Sequence, residues 1–272
     1  MLNELFSIGP FTVYGYGLMI AVGVLAAYFT GEYRAKKYGY DPDQVFYFVI
    51  FCVLGGYLGS KLLYIMTDLK SIIENPWLVL DLADGWVVYV GILGGILTAV
   101  IYARIKKLDF LAYFDLLIPS VALAQGFGRI GCFLAGCCYG RETHSPIGIA
   151  FHNSSYAPNG VALIPTQLIS SGLNFLHFFV LIWLAKRKKA DGQIGAMYLI
   201  LYSIGRFVLE YYRGDLLRGS VGRFSTSQFI SLFTAAGGII LLAVCSRRGS
   251  ISSDGRETSA QQQGGDGDRQ KR

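Results

Sequence analysis

The apolar residues of this chain gather in seven blocks of about 20 residues, and short polar stretches separate the blocks. A bilayer core is about 30 Å thick and takes about 20 residues of helix to cross, so each block is long enough to span a membrane. The pattern therefore predicts an all-α, polytopic integral membrane protein with about seven transmembrane helices. We predict these helices over 12–33, 45–66, 86–104, 114–138, 166–185, 193–212 and 227–245.

Positively charged residues mark every second connection between the predicted helices. Lys and Arg concentrate in the cytoplasmic loops of membrane proteins, so we expect the N-terminus outside and the C-terminus in the cytoplasm. A basic cluster follows the first span where a signal peptide would have a small-residue cleavage site, and we expect this span to remain in the chain. The clusters are Arg34-Lys36-Lys37, Arg104-Lys106-Lys107, Lys186-Arg187-Lys188-Lys189 and Arg247-Arg248.

The composition agrees with this topology. Of the 272 residues, 53% are hydrophobic and 15% are charged, and the net charge of +6 is concentrated in the loops. We therefore expect no nucleic-acid partner. Residues 249–272 are rich in Gly, Ser, Gln and Asp and contain no aromatic residue, so they cannot bury enough apolar area to offset the entropy of ordering. We predict a transmembrane domain over 1–248 and a disordered cytoplasmic tail over 249–272.

Charged residues interrupt two of the predicted spans. Arg206, Glu210 and Arg213 are spaced at i, i+4 and i+7, which predicts two guanidiniums and one carboxylate on one face of the sixth helix. Arg129 lies in the fourth span. A charge near the bilayer centre costs roughly 2.5–3.5 kcal/mol on insertion scales, so such residues usually face a protein interior or a wet cavity. Two arginines inside the membrane indicate a site for an anion.

The predicted topology also sets the depth of each polar residue, because a helix rises about 1.5 Å per residue. Arg129 then lies on the order of 20 Å from the cytoplasmic face. Six polar residues converge on the outer half of the membrane: Tyr16, Lys61, Tyr89, Arg129, Gln167 and Arg206. Since the arginine fork holds two oxygens and keeps its charge, we expect the anion to be a lipid phosphate.

Several of these residues have a simpler interpretation that the sequence leaves open. Lys61, Arg206 and Arg213 could extend to the outer headgroups as long interfacial side chains do. Tyr89 could belong to the aromatic belt at the interface, donate a hydrogen bond or act as a base. Small residues spaced four apart, such as Gly91 and Gly95, usually permit close contact between helices.

Three cysteines follow one another closely after the fourth span. Cys132, Cys137 and Cys138 have a spacing that matches no common structural zinc site, so we expect no bound metal. A disulfide between Cys132 and either of the other two is chemically possible on an oxidising outer face. The sequence does not decide whether it forms.

Taken together, several segments resemble the prolipoprotein diacylglyceryl transferases, integral membrane enzymes of bacteria. The most specific is GRIGCFLAGCCYG over 128–140, which is similar to the family signature. Residues 8–11 with 16–19 resemble the first span of the family, 165–168 the start of its fifth, and 206–213 its sixth. The resemblance covers nearly the whole chain except the tail.

The resemblance implies a multi-pass enzyme of the bacterial inner (cytoplasmic) membrane. Members transfer the diacylglyceryl group of phosphatidylglycerol to the thiol of the lipobox cysteine in an exported prolipoprotein and release glycerol phosphate, the first step of lipoprotein maturation. The implied partners are phosphatidylglycerol, the lipobox segment and the bilayer. Because the substrate supplies the nucleophile, we expect no catalytic cysteine and no cofactor.

The resemblance also implies roles for individual residues. Arg129 and Arg206 would bind the phosphate and stabilise it as it leaves, with Glu210 orienting them. Tyr89 would activate the thiol or donate a hydrogen bond to the headgroup. The other implied substrate-binding residues are Tyr16, Lys61, Gly91, Gly128, Gly131, Gly136, Gly140, Gln167 and Arg213.

Two further functions stay open on sequence grounds. A transporter would show repeat symmetry or polar residues through the full depth of the membrane, whereas the inner halves of these spans are apolar. A diverged lipid-binding homologue would keep the phosphate arginines and lack thiol activation. The chain departs from the family pattern at Val90, Ile169 and Ser170, which is where such divergence would show.

Overall fold

A computed structural model describes residues 4–8, 11–69, 75, 88–215, 220–222 and 224–269, with side chains described as far as Arg247. This part of the chain is mostly helical and contains seven helices. They are α1 Gly15–Tyr38, α2 Pro42–Thr67, α3 Val88–Ile105, α4 Phe110–Ala135, α5 Thr166–Ala185, α6 Gln193–Glu210 and α7 Thr226–Arg269.

Every predicted span falls on one of these helices. Five helices are long and apolar enough to cross a membrane, and α3 contains a shorter apolar helix over Val90–Ile105. The remaining helix, α6, carries Arg206 and Glu210 within its 18 residues. The prediction of a helical protein with several membrane spans is confirmed, while seven crossings and the orientation of the termini stay predictions.

Short strands join the helices, which an all-α prediction did not include. Strands β1 (Glu4–Ile8) and β2 (Phe11–Tyr14) form an antiparallel hairpin with Ser7 opposite Thr12. The first helix therefore begins at Gly15, three residues after the predicted start of the span. Two-residue antiparallel pairs join β3 (Ile149–Ala150) to β4 (Ala162–Leu163), and β5 (Ser220–Val221) to β6 (Phe224–Ser225).

The last helix continues into the predicted tail. Its backbone is helical as far as Arg269, where the sequence predicts disorder. Beyond Arg247 this segment has the polar, glycine-containing sequence described above, and it offers no apolar stripe with which a helix could pack. The disordered tail remains a prediction from composition.

The chain divides into two compact units. One comprises Met1–Ala27 and Leu117–Arg272, and the other comprises Tyr28–Leu116. In the second unit, α2 begins where Asp41 caps the helix by accepting a 2.9 Å hydrogen bond from the Asp43 backbone N–H. Pro42 follows in the first turn, where its missing N–H costs nothing.

Glycines let α2 and α3 approach closely within that second unit. A Cβ added to Gly55 would lie 2.8 Å from the Gly94 carbonyl oxygen, and one on Gly91 would lie 3.1 Å from that of Gly56. Such contacts exclude larger residues. The interpretation of the spaced glycines as helix-contact residues is therefore confirmed, and it applies to Gly91 as well.

In the other unit, side-chain hydrogen bonds join neighbouring helices to α4. The Ser171 hydroxyl of α5 donates to the Gly126 carbonyl oxygen at 2.8 Å. The Tyr198 hydroxyl of α6 donates to Gln125 Oε1, also at 2.8 Å. These bonds satisfy polar groups that would otherwise be unpaired in an apolar interior, and they hold α5 and α6 against the helix that carries Arg129.

Candidate active site

The last turn of α6 positions a buried ion pair. Arg206 Nη1 lies 2.6 Å from Glu210 Oε2, and the two side chains are 12% and 7% exposed. Arg206 Nη2 also donates a 2.7 Å hydrogen bond to the Ser227 hydroxyl, on the first turn of α7. The predicted pairing of these residues on one helix face is confirmed, and Arg206 is held on two sides.

Arg213 lies beyond the end of α6, so the prediction that this helix carries it was wrong. Helix α6 ends at Glu210, and the following amides bond three residues back, as Arg213 N–H does to the Glu210 carbonyl at 3.3 Å. Bonds of this kind tighten the backbone into turns after the α-helix. Its guanidinium instead makes a two-point contact with Asp215, with Nε–Oδ1 2.9 Å and Nη2–Oδ2 2.7 Å.

The environment of Arg213 favours its charged form. Burial acts to lower the pKa of this guanidinium, but hydrogen bonds to Asp215 and Cys138 act in the opposite direction and are stronger together. The net effect is a raised pKa. Arg213 therefore stays positively charged although its side chain is only 8% exposed.

A left-handed turn ends α4 immediately after the arginine-bearing part of that helix. Gly136 has φ of 74° and its N–H donates to the Phe133 carbonyl at 3.1 Å, while the Cys137 N–H donates to the Cys132 carbonyl at 3.1 Å. The turn reverses the chain. It sets Gly140 opposite Arg213 in an isolated antiparallel bridge.

Two polar residues at the start of α5 hold this turn in place. The Thr166 hydroxyl donates to the Cys138 carbonyl oxygen at 2.9 Å, and Gln167 Nε2 donates to the Cys137 carbonyl oxygen at 2.8 Å. Gln167 is 1% exposed. Its Oε1 has no hydrogen-bond partner within the described ranges, so a buried acceptor lies beside the cavity.

The three arginines meet at one small, partly open cavity. Electrostatic repulsion acts between Arg129 and Arg213, and Arg206 is repelled by both. Unlike those of its two neighbours, the guanidinium of Arg129 makes neither an ion pair nor a hydrogen bond with any residue in the described part of the chain. The cavity is lined by Arg129, Cys138, Thr166, Gln167, Ser170, Arg206, Leu209 and Arg213.

Known proteins match this chain along nearly its whole length. A model of the prolipoprotein diacylglyceryl transferase family matches residues 3–244. The chain belongs to the prolipoprotein diacylglyceryl transferase family. It is 49% identical over 240 residues to the phosphatidylglycerol–prolipoprotein diacylglyceryl transferase of Clostridium tetani, covering 88% of this chain and 96% of that protein.

Other members of the diacylglyceryl transferase family show the same coverage. The second enzyme of this name from Clostridium perfringens is 45% identical over 250 residues, covering 92% of this chain and 96% of the relative. The protein from Clostridioides difficile is 33% identical over 244 residues, with 88% and 95% covered. The match thus extends over the transmembrane part and is not confined to the signature.

In the unit formed by residues 1–27 and 117–272, the structure brings together most of the predicted site residues. A Cβ on Gly131 would lie 3.1 Å from Tyr16 Cδ2, so the Tyr16 ring packs against the helix of Arg129. Gly128 has open space where a side chain would stand, whereas Gly136 and Gly140 serve the turn. The burial of Arg206 and Arg213 is inconsistent with extension to the headgroups.

Three predicted residues belong to the other unit and their roles stay predictions. Lys61 is buried in α2, and its ammonium lies 5.3 Å from the centre of the Tyr64 ring. Tyr89 lies in the first turn of α3, and its side chain is outside the described residues. Gly91 makes the helix contact described above.

Sequence reasoning missed several residues that the structure places at the site. Asp215 binds Arg213, and the Arg-x-Asp spacing was a signal that could have identified it. Ser227 gives no comparable signal, because its contact with Arg206 depends on the approach of α7. Ser170, known from sequence only as a departure from the family pattern, lines the cavity. Tyr202 of α6 is an electrostatic neighbour of Arg129 and Arg206.

Proposed function

We propose that this protein transfers the diacylglyceryl group of phosphatidylglycerol to the thiol of the lipobox cysteine in a prolipoprotein, releasing glycerol phosphate. The observation that carries the proposal is the guanidinium of Arg129, which faces a cavity without a carboxylate partner in the described part of the chain. The names of the relatives, which contain both phosphatidylglycerol and prolipoprotein, support the same substrates.

The charges around the cavity suit a phosphodiester. Glu210 neutralises Arg206 and Asp215 neutralises Arg213, which leaves the positive charge of Arg129 unmatched among these groups. A charge without a counter-ion is costly in a largely buried site. The phosphodiester of phosphatidylglycerol carries a single negative charge, so its binding would neutralise Arg129.

The same arrangement would stabilise the departing group more than the bound lipid. In the reaction the substrate sulfur forms a bond to the glyceryl carbon while the bond from that carbon to the phosphate oxygen breaks. The electron pair stays on the phosphate, which leaves as a monoester with a second negative charge. Arg206 and Arg213 hold their donors in place before the reaction, so they strengthen their interaction as that charge develops.

Individual roles follow from these contacts. Arg129 and Arg206 bind the phosphate, and Glu210 orients Arg206 through the ion pair. A carboxylate in such a pair is a poor base, so proton removal from the thiol falls to another group. We assign thiol activation or headgroup binding to Tyr89, and headgroup binding to Lys61, on the family resemblance.

The topology is part of the proposal. Seven crossings, an outer N-terminus and a cytoplasmic C-terminus would place the cavity in the outer half of the bacterial inner membrane, where exported prolipoproteins meet phosphatidylglycerol. The basic loops support this orientation. The domain boundary near residue 248 and the disordered tail belong to the same interpretation.

A reconstituted assay tests the function directly. Wild-type protein in vesicles containing phosphatidylglycerol receives a synthetic lipobox peptide, and mass spectrometry measures the peptide. We expect the peptide mass to increase by one diacylglyceryl group, and no change with a peptide in which serine replaces the cysteine. If the protein binds phosphatidylglycerol but transfers nothing to the peptide, the lipid-binding homologue is favoured instead. If neither peptide is modified and solute crosses the vesicle membrane, a transporter is favoured.

A further inference from the structure

Three thiols converge beside the arginine cavity, and one of them, that of Cys138, belongs to a residue that lines it. The sulfur atoms of Cys132, Cys137 and Cys138 all lie within 4.8 Å of one another, and each residue is partly buried. Within the described residues, none of the three forms a disulfide. The proposed transfer uses none of them as a nucleophile, so their convergence needs another explanation.

The end of α4 produces this convergence. Cys132 lies in the last turn of the helix, and the left-handed Gly136 folds the next two cysteines back over it. The Cys137 thiol reaches the Cys132 carbonyl oxygen at 3.7 Å. Cys138 has φ of 60°, a conformation that side chains rarely adopt and glycine would accept without strain. The chain nevertheless places a thiol there.

The distances suit a metal ion that thiolates select. Four ligands around zinc at a metal–sulfur distance of about 2.3 Å place their sulfurs about 3.8 Å apart. The three sulfurs of the cluster lie within 4.8 Å of one another, which is the same range of separation. Three protein ligands would leave the fourth position open, which distinguishes catalytic zinc sites from structural ones.

The cluster also borders the phosphate site. Cys138 lines the same cavity as Arg129, Arg206 and Arg213. Arg213 is hydrogen-bonded to Cys138, and Arg129 is an electrostatic neighbour of Cys132 and Cys138. Three thiolates and a divalent cation carry one net negative charge, which these guanidiniums would stabilise.

We propose that Cys132, Cys137 and Cys138 bind one zinc ion, and that the thiol of the lipobox cysteine is the fourth ligand. This inference rests on the proposed function. On binding, the substrate thiol gives its proton to water, and its sulfur stays a nucleophilic thiolate beside the phosphate. The sulfur then forms the bond to the glyceryl carbon, the carbon–oxygen bond breaks, and the electron pair leaves with glycerol phosphate. The oxidation state of the metal does not change, and the thioether product, a weaker ligand, departs.

The proposal changes an expectation from the sequence. The spacing of these cysteines matches no common zinc site, and on that ground no metal was expected. Spacing along the chain cannot show a left-handed turn at Gly136, and this turn is what gathers the sulfurs.

Metal uptake tests the site without any lipid transfer. The full-length protein in detergent is reduced, treated with chelator and titrated with Co²⁺, which reports thiolate ligands and tetrahedral geometry through its absorption. We expect one equivalent to bind per chain, displaceable by Zn²⁺, and affinity at least about tenfold weaker in Cys132→Ser, Cys137→Ser and Cys138→Ser. Cys52→Ser, a cysteine on α2 outside the cluster, is the matched control and should bind as the wild type does.

Several results would overturn the site. The first is that the protein takes up no stoichiometric Co²⁺. The second is that a variant lacking all three cysteines takes up as much Co²⁺ as the wild type. The third is that the protein as isolated has two titratable thiols fewer than expected, which would indicate a disulfide. Cluster variants that fail to fold would lose the cooperative thermal transition that Cys52→Ser keeps. If these variants do not fold, the titration is replaced by a measurement on the wild-type protein, in which bound Zn²⁺ should protect the three thiols against alkylation. Thiols that react as fast with Zn²⁺ as without it would also reject the site.

A peptide experiment tests the fourth ligand. Addition of the lipobox peptide to the Co²⁺-loaded protein without lipid should shift the absorption, and the serine peptide should not. If the enzyme transfers lipid at the full rate after treatment with chelator, the zinc proposal is rejected and the proposed function stands. A shift with the cysteine peptide together with no transfer from phosphatidylglycerol would instead support the thiol-binding zinc site and reject the proposed function.

Discussion

Arg206 and Glu210 form an ion pair across one turn of α6, with 2.6 Å between Nη1 and Oε2 and both side chains largely removed from solvent. The pair leaves the second nitrogen of the guanidinium to Ser227. A guanidinium held by two partners has little rotational freedom. This is the property expected of a group that must face a phosphate before charge develops on it.

Replacement of Glu210 should therefore impair the orientation of Arg206 more than the binding of the lipid. For Glu210→Gln we expect kcat/KM for diacylglyceryl transfer to fall by about tenfold or more, since the isosteric amide keeps the shape and loses the charge. Initial rates in phosphatidylglycerol vesicles measure this effect. Glu32→Gln, which removes the partner of Lys36 in a pair with a mostly exposed lysine, is the control and should be silent. Equal rates in wild type and Glu210→Gln would reject the orienting role.

Arg129 should be the least replaceable of the three arginines, because no other described group can supply its charge. For Arg129→Ala we expect transfer to fall by at least about 100-fold, the loss typical of one removed oxyanion donor, and for Arg129→Lys a smaller loss. Arg206→Ala should also lose most of the transfer activity. Quantification of lipidated peptide over long incubations measures these residual rates. Turnover of either alanine variant at the wild-type rate would remove the phosphate-binding assignment.

The sequence was most informative where a contact follows from helical periodicity. The span predicted over 166–185 coincides with α5, and the i, i+4 spacing correctly paired Arg206 with Glu210. Both are local consequences of 3.6 residues per turn. The depth argument likewise placed Arg129, Gln167 and Arg206 together, and all three line the cavity.

The prediction failed where the chain leaves the helix. The end of α6 depends on how the amides after Glu210 pair. They bond three residues back, so Arg213 lies beyond the helix, where it pairs with Asp215. The gathering of the three cysteines depends on a left-handed turn, and the hairpin of β1 and β2 on pairing between segments. Such features arise from backbone geometry and tertiary contacts, which a hydropathy pattern does not contain.

The turn at Gly136 should be sensitive to a methyl group. Its φ of 74° is unfavourable for any residue with a Cβ, and the added atom would collide with Ser154. We expect Gly136→Ala to lower the free energy of unfolding by about 1–2 kcal/mol or more. Gly128→Ala is the matched control, because an added Cβ there meets no atom within 4 Å and alanine favours the helix. Thermal unfolding in detergent compares them, and an unchanged transition for Gly136→Ala would contradict the structural role of the turn.

Tyr89 tests the part of the chemistry that depends on the family resemblance. We expect Tyr89→Phe to lose part of the transfer rate, because the substitution removes the hydroxyl and keeps the ring. The dependence of kcat/KM on pH should change if the phenol takes part in proton transfer from the lipobox thiol. A reduced rate with an unchanged pH profile would restrict Tyr89 to headgroup binding, and an unchanged rate would exclude both roles.

Arg213 and Asp215 should behave as one unit. Their two-point contact fixes the guanidinium beside Cys138, and removal of either residue takes this contact from the other charge in a largely buried place. We expect Arg213→Ala and Asp215→Ala each to lower kcat/KM by about tenfold or more, and the double variant to lose no more than the worse single variant. Rates for the four proteins in the same vesicles complete the cycle. Losses that multiply in the double variant would show that the two residues act independently, and Asp215 would then have no role in positioning Arg213.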